Sequence, residues 1–199
     1  MGTRFILAGV LAGLAMFVWG AMSHMLLPWH NANYNSFRDE DLVAEVLMTE
    51  APHSGIYVSP MAGAMEEGIT DEERARREAE SWEKSAKGPV VFMAIAREGM
   101  AGMAMPMILD FIVLVLMSFV LLWLLAAVPG LTFGGKVLFV TIAGTVGMAV
   151  VQLEQWIWYV FPTGYVLVNI VDGAVRWAIG GAVMAKLGTA REKNPVVRR

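Results

Sequence analysis

Residues 107–128 read MILDFIVLVLMSFVLLWLLAAV, with Asp110 as the only charge. About 20 apolar residues in a helix cross the hydrocarbon core of a bilayer, and a helix satisfies its own backbone N–H and C=O groups there. Three more stretches have this length and character. Residues 5–27 hold no charge, 136–159 are interrupted by Glu154, and 165–187 surround Asp172 and Arg176. Arg4 and Ala21-Met22-Ser23 imitate the start and cleavage site of a signal peptide. The apolar run between them is longer than the roughly 7–15 residues of a signal core, so it reads as a retained membrane helix.

The composition agrees with four spans. Hydrophobic residues make up 57% of the 199 and charged residues 17%, against about 45–50% and 25% in soluble domains. The absence of cysteine excludes disulfides, thiolate metal sites, iron–sulfur clusters and a cysteine nucleophile. A net charge of −3 lacks the basic footprint of a nucleic-acid binder.

Charge also orients the chain. Arg4, Lys136 and the tail from Lys186 hold seven basic residues against the single acid Glu192, whereas residues 28–106 hold seven basic and fourteen acidic ones. Basic residues in short connections mark the cytoplasmic side. Both termini are expected inside and 28–106 outside, in a bacterial inner membrane. Trp156, Trp158, Tyr159 and Tyr165 flank the short outer turn, as an interfacial aromatic belt does. The expected fold class is all-α: four transmembrane helices (5–27, 107–128, 136–159, 165–187), an external α+β cap at 28–106 between the first two, and a basic tail at 188–199.

Within the cap, Ser36-Phe37-Arg38-Asp39 has the form of a capping box before the apolar face Leu42, Val43, Val46 and Leu47. Thr70-Asp71-Glu72-Glu73 forms a second one, opening a helix that ends at Lys87-Gly88-Pro89. Glu72/Arg76, Glu73/Arg77, Glu80/Lys84 and Glu83/Lys87 are acid-before-base pairs four apart. Gly55–Ser59 and Val90–Ala96 read as two strands able to pair.

Several segments carry a resemblance. Phe17-Val18-Trp19-Gly20-Ala21-Met22-Ser23-His24, Gly55-Ile56-Tyr57, Gly88-Pro89-Val90-Val91-Phe92 and residues 158–167, which lead into Asp172 and Gly180-Gly181, are similar to a family of uncharacterised bacterial four-span membrane proteins. The resemblance implies the topology above and no activity.

The residues singled out for function follow from the membrane. Asp172 and Arg176, four apart on one helix face, are expected to neutralise each other. Glu154 lies near the outer end of the third span, with Asn169 as its nearest expected polar neighbour. His24, His30 and His53 map to the outer side with Met61, Met65, Met100, Met103, Met105 and Met107. His24 and His30 are six apart across Pro28, so a regular helix does not put them on one face, and they are weak metal candidates together with His53, Met100 and Met103. Gly9-xxx-Gly13, Ala143-xxx-Gly147 and Ala174-xxx-Ala178-xxx-Ala182 are faces for close helix approach. Gly9, Gly13, Ala174, Ala178 and Trp82, the one large apolar residue on its charged helix, are candidates for partner contact.

No nucleotide-binding glycine loop, HExxH or nucleophile elbow is present. The leading expectation is a non-catalytic accessory, assembly or stabilising subunit with no cofactor, in contact with lipid and with a membrane-protein partner or a second copy. The alternatives are an ion- or proton-coupled transporter using Glu154, Asp172 and Arg176, and metal (copper) or haem binding on the outer side.

Overall fold

The computed structural model describes residues 2–61 and 68–188. Met65 and all of the expected tail beyond Gly188 lie outside the described residues. Four helices are long and apolar enough to cross a membrane: α1 (Thr3–Leu26), α4 (Ala104–Ala126), α5 (Phe133–Tyr159) and α6 (Thr163–Leu187). Between α1 and α4 come α2 (Glu40–Glu50), β1 (Gly55–Ser59), α3 (Asp71–Lys87) and β2 (Val91–Ile95). The chain forms two compact units. One holds the residues up to Tyr34, Gly102–Ile157 and those from Phe161 onward; the other holds Asn35–Ala101 with Trp158–Val160.

In the first unit α1 is the central helix. It packs antiparallel to α4 on one side and to α6 on the other, and small residues set both distances. Gly9 faces the Phe119 ring and Gly13 faces Val115, so a Cβ at either position overlaps α4. Gly180 of α6 lies against Met16, where a Cβ would stand 2.6 Å from the sulfur. Close approach of this kind replaces the hydrophobic drive that lipid removes. The dry core follows from it: Ala8, Ala12 and Met16 of α1, Leu114, Leu121, Leu122 and Leu125 of α4, Val140 of α5, and Met184 of α6. Phe5 stacks on Phe119 at 5.9 Å and Phe17 meets Phe111 edge-on at 5.8 Å.

Helix α4 starts at Ala104, ahead of the expected 107, because Pro106 falls in the first turn, where its missing N–H has no helical partner to lose. Helix α5 is peripheral. Val140 is its one buried residue, and 6% of its apolar window is buried against 28% for each of the other three. It meets α6 through Gly144 against Trp177 and Met148 against Gly173.

The second unit is built on an antiparallel hairpin, Gly55 paired with Ile95 through Ser59 with Val91. The N-cap of α2 is Asp39, whose carboxylate accepts from the Leu42 N–H at 2.9 Å, and not the expected Ser36 box. Asp39 stands three residues before Leu42, so its short side chain reaches the open amide that Ser36 is too far away to reach. At the other end of α2, the Arg97 guanidinium donates to the carbonyls of Met48 (2.7 Å) and Ala51. Those are carbonyls that the last turn cannot satisfy itself. Ser54 Oγ accepts from the Arg97 N–H and donates to Glu98 at 2.6 Å, tying the two strand ends together.

Helix α3 is capped by Thr70, which accepts from the Glu73 N–H at 3.2 Å, and ends at Gly88, whose φ of 70° suits glycine. Two of the expected ion pairs are present: Glu73 with Arg77 at 2.7 Å and Glu83 with Lys87 at 2.6 Å. Arg76 departs from the expectation, pairing with Glu73 at 2.8 Å and Glu80 at 3.3 Å in place of Glu72. Hydrogen bonds from the two arginines hold the Glu73 carboxyl below the usual range. Nothing on α3 is buried, and Trp82 is 70% exposed.

Candidate functional site

The site lies between the last two turns of α1 and the third turn of α6. Trp19 and Ser23 occupy one face of α1, a turn apart. After Leu26 the chain turns through Pro28-Trp29-His30 into a single 3-10 turn, Asn31–Asn33. The Ala32 N–H bonds the Pro28 carbonyl at 2.9 Å, and the Asn33 amide donates to the Trp29 carbonyl at 2.7 Å. The reversal swings His30 back over the helix end. His24 and His30 then stack with centroids 3.8 Å apart and planes 14° from parallel. Spacing on a helix did not anticipate this, because a turn and not a helix joins the two residues.

Asp172 is the centre of the site and is 3% exposed. Its Oδ1 accepts the Trp19 indole N–H at 2.8 Å. Its Oδ2 has longer contacts: Arg176 Nη2 at 3.4 Å and His30 Nε2 at 3.7 Å. A strong charged hydrogen bond spans about 2.7–2.9 Å, so Oδ2 keeps accepting capacity. The expected Asp172/Arg176 neutralisation is therefore present as a loose pair. Gly20 opens the lane that Arg176 uses, since a Cβ there would stand 3.0 Å from Nη2.

The two imidazoles are held differently. His24 Nδ1 is 3.0 Å from the Gly20 carbonyl. A carbonyl only accepts, so Nδ1 is the donor, and in the neutral ring Nε2 is the nitrogen with the lone pair. Ser23 Oγ is fully buried, accepts the Trp29 indole N–H at 3.0 Å, and lies 3.2 Å from His30 Nε2. With the Trp29 proton directed at its oxygen, the serine hydroxyl is free to donate to that nitrogen. His30 is 3% exposed, and burial pushes its imidazole below the usual range; His24 adds to the effect and Asp172 opposes it.

One nitrogen from each histidine and one Asp172 oxygen lie within 4.8 Å of one another. A tetrahedral ion with bonds of about 2.1 Å holds its ligands about 3.4 Å apart, so the set must draw together and the stacked imidazoles must rotate to bind one. Two imidazoles and a carboxylate, with a backbone carbonyl and a serine behind them, form a donor set suited to a borderline divalent ion.

The other candidates stand elsewhere. His53 is tied to the Tyr57 hydroxyl, which donates to its carbonyl at 2.7 Å. Met100 and Met103 are exposed. Glu154 is exposed on α5 and does not meet Asn169, whose amide donates to the Tyr165 carbonyl at 2.8 Å. Gln152 and Gln155 take the inward face instead, each with a buried oxygen lacking a partner. Sequence reasoning passed over both because they are uncharged, although they share a helix face with Thr145. Gly9 and Gly13 are filled by α4 of the same chain and offer no surface to a partner. Ala174 and Ala178 are half-buried.

No family model, curated protein or solved structure matches the chain.

Proposed function

We propose that this chain is a multi-pass protein of a bacterial inner membrane, with both termini cytoplasmic, that binds a borderline divalent metal ion such as Zn2+ or Cu2+ on its outer side. His24 Nε2, His30 Nε2 and Asp172 Oδ2 are the ligands. The role is binding and not catalysis. The observation that carries the reading is the convergence of one ligand atom from each of these three residues within 4.8 Å, in a pocket where Ser23, His30 and Asp172 are all nearly or fully buried. Arg176 is the competing cation, and its long contact with Asp172 leaves room for an ion to displace it.

The test is metal titration of the full chain, purified without a polyhistidine tag. Wild type should take up one equivalent of Zn2+ or Cu2+ and melt at a higher temperature with it; a ligand at 100 times its Kd stabilises by about 2.7 kcal/mol. His24→Ala, His30→Ala and Asp172→Asn should each weaken binding at least tenfold. Equal uptake by wild type and the double variant His24→Ala/His30→Ala rejects the site.

A second reading rests on a separate observation. Trp82 is 70% exposed on a helix with no buried residue, which supports the chain acting as an accessory subunit that docks through its outer cap. The resemblance to uncharacterised four-span proteins fits either reading.

A further inference from the structure

Three polar atoms on α5 are buried and without a hydrogen-bond partner: Thr145 Oγ1, Gln152 Oε1 and Gln155 Oε1. They are not scattered. Positions 145, 152 and 155 are seven and three apart, so they share one face of α5. The helices are antiparallel, with Gly144 against Trp177 and Met148 against Gly173. That register puts Gln152 level with Asn169, whose amide turns back to the Tyr165 carbonyl and leaves the Gln152 oxygen unpaired.

Two other helix hydroxyls in the same bundle behave differently. The buried Ser118 donates to the Leu114 carbonyl at 2.7 Å, and the part-buried Thr141, one turn from Thr145 on α5, donates to Val137 at 2.8 Å. Each closes on its own helix backbone, and Thr145 does not. An unpaired polar group in hydrocarbon is strongly unfavourable, and three on one helix face are sustainable only with a polar occupant. The seam is loose enough to admit one, because α5 is the least buried of the four spans.

We propose that the α5–α6 seam is a water-binding track, entered at Gln155 and leading past Gln152 to Thr145. From Tyr159 to Thr145 the helix rises about 21 Å, some two-thirds of a hydrocarbon core of about 30 Å. Water in the track donates to the two glutamine oxygens and to Thr145. The track stands independently of the metal site, since it involves none of the proposed ligands.

The natural absence of cysteine makes the test direct. Single cysteines at Thr145, Gln152 and Gln155 are introduced into the full chain in proteoliposomes. They are then exposed on both faces to a small, cationic, membrane-impermeant methanethiosulfonate. Val146→Cys and Leu153→Cys, whose parent residues are 55% and 43% exposed on the outward face of α5, serve as lipid-facing controls. The seam positions should react at least tenfold faster than the controls, and Gln155→Cys faster than Thr145→Cys. Rates equal to or below the controls overturn the track. Wild type gives a second readout that needs no variant. Met148, on the seam face, should be oxidised in hydroxyl-radical footprinting, while Met16 and Met184, with no exposed surface, stay intact. A Met148 as protected as those two also rejects the proposal.

Discussion

Asp172 shows how one carboxylate is kept in an apolar bundle. Trp19 holds Oδ1 with a short bond, while Oδ2 is shared between the longer contacts to Arg176 and His30. Removing one partner of a buried pair leaves an uncompensated charge and costs about 3–5 kcal/mol, whereas replacing both by apolar residues is often neutral. Arg176→Leu should therefore lower the melting temperature and yield of the full chain markedly, and Asp172→Leu/Arg176→Leu should recover most of the loss. Melting in detergent, measured side by side, checks this. Equal behaviour of the single and double variants shows that the two residues are not energetically paired. The same experiment bears on the metal site: saturating Zn2+ should rescue Arg176→Leu, where Asp172 remains, but not the double variant.

At the scale of elements, α1 and α3 are opposites. The central helix α1 is held by close approach on two sides, and its glycines are consumed by that packing. Helix α3 is held by its Thr70 cap and by exposed ion pairs, which contribute little each. A tryptophan exposed on such a helix gains nothing from its own fold. If it anchors a partner, a role in which tryptophan is enriched, Trp82→Ala should leave the yield and melting temperature unchanged while a co-purifying protein is lost from mild-detergent preparations. A fall in the melting temperature of the isolated chain, with no partner present, rejects the docking role.

For the whole molecule, the proposed orientation rests on the balance of charge between the two sides of the spans. The connection between α4 and α5 is short and carries no acid, while the cap segment is strongly acidic. With Glu78→Cys as its single cysteine, the protein should react with an impermeant maleimide in intact spheroplasts. With Pro129→Cys it should react only after lysis. The opposite pattern inverts the orientation and moves the His24–His30–Asp172 site to the cytoplasmic side.

The four apolar helices, the Thr70 cap and the two paired strands were legible in the chain, because each depends on residues close in sequence. Length and apolarity define a span, a side chain three positions ahead caps a helix, and alternation marks a strand. The Asp172/Arg176 contact was legible for the same reason, being one helical turn. The rest depended on how distant residues meet. Whether Gly9 and Gly13 face a partner or α4 depends on which helix lies beside α1, and no local pattern encodes that. Glu154 is charged and conspicuous, yet it faces outward, while the inconspicuous Gln152 and Gln155 face α6. Rotation of α5 about its axis decides between them, and packing sets that rotation. The histidine pair was hidden most deeply: six residues and a proline separate His24 from His30, and only the chain reversal after Leu26 stacks them above an aspartate some 140 positions away. Local chemistry gave the elements. Close packing and one tight turn, whose energies arise between elements and not within them, assembled the site.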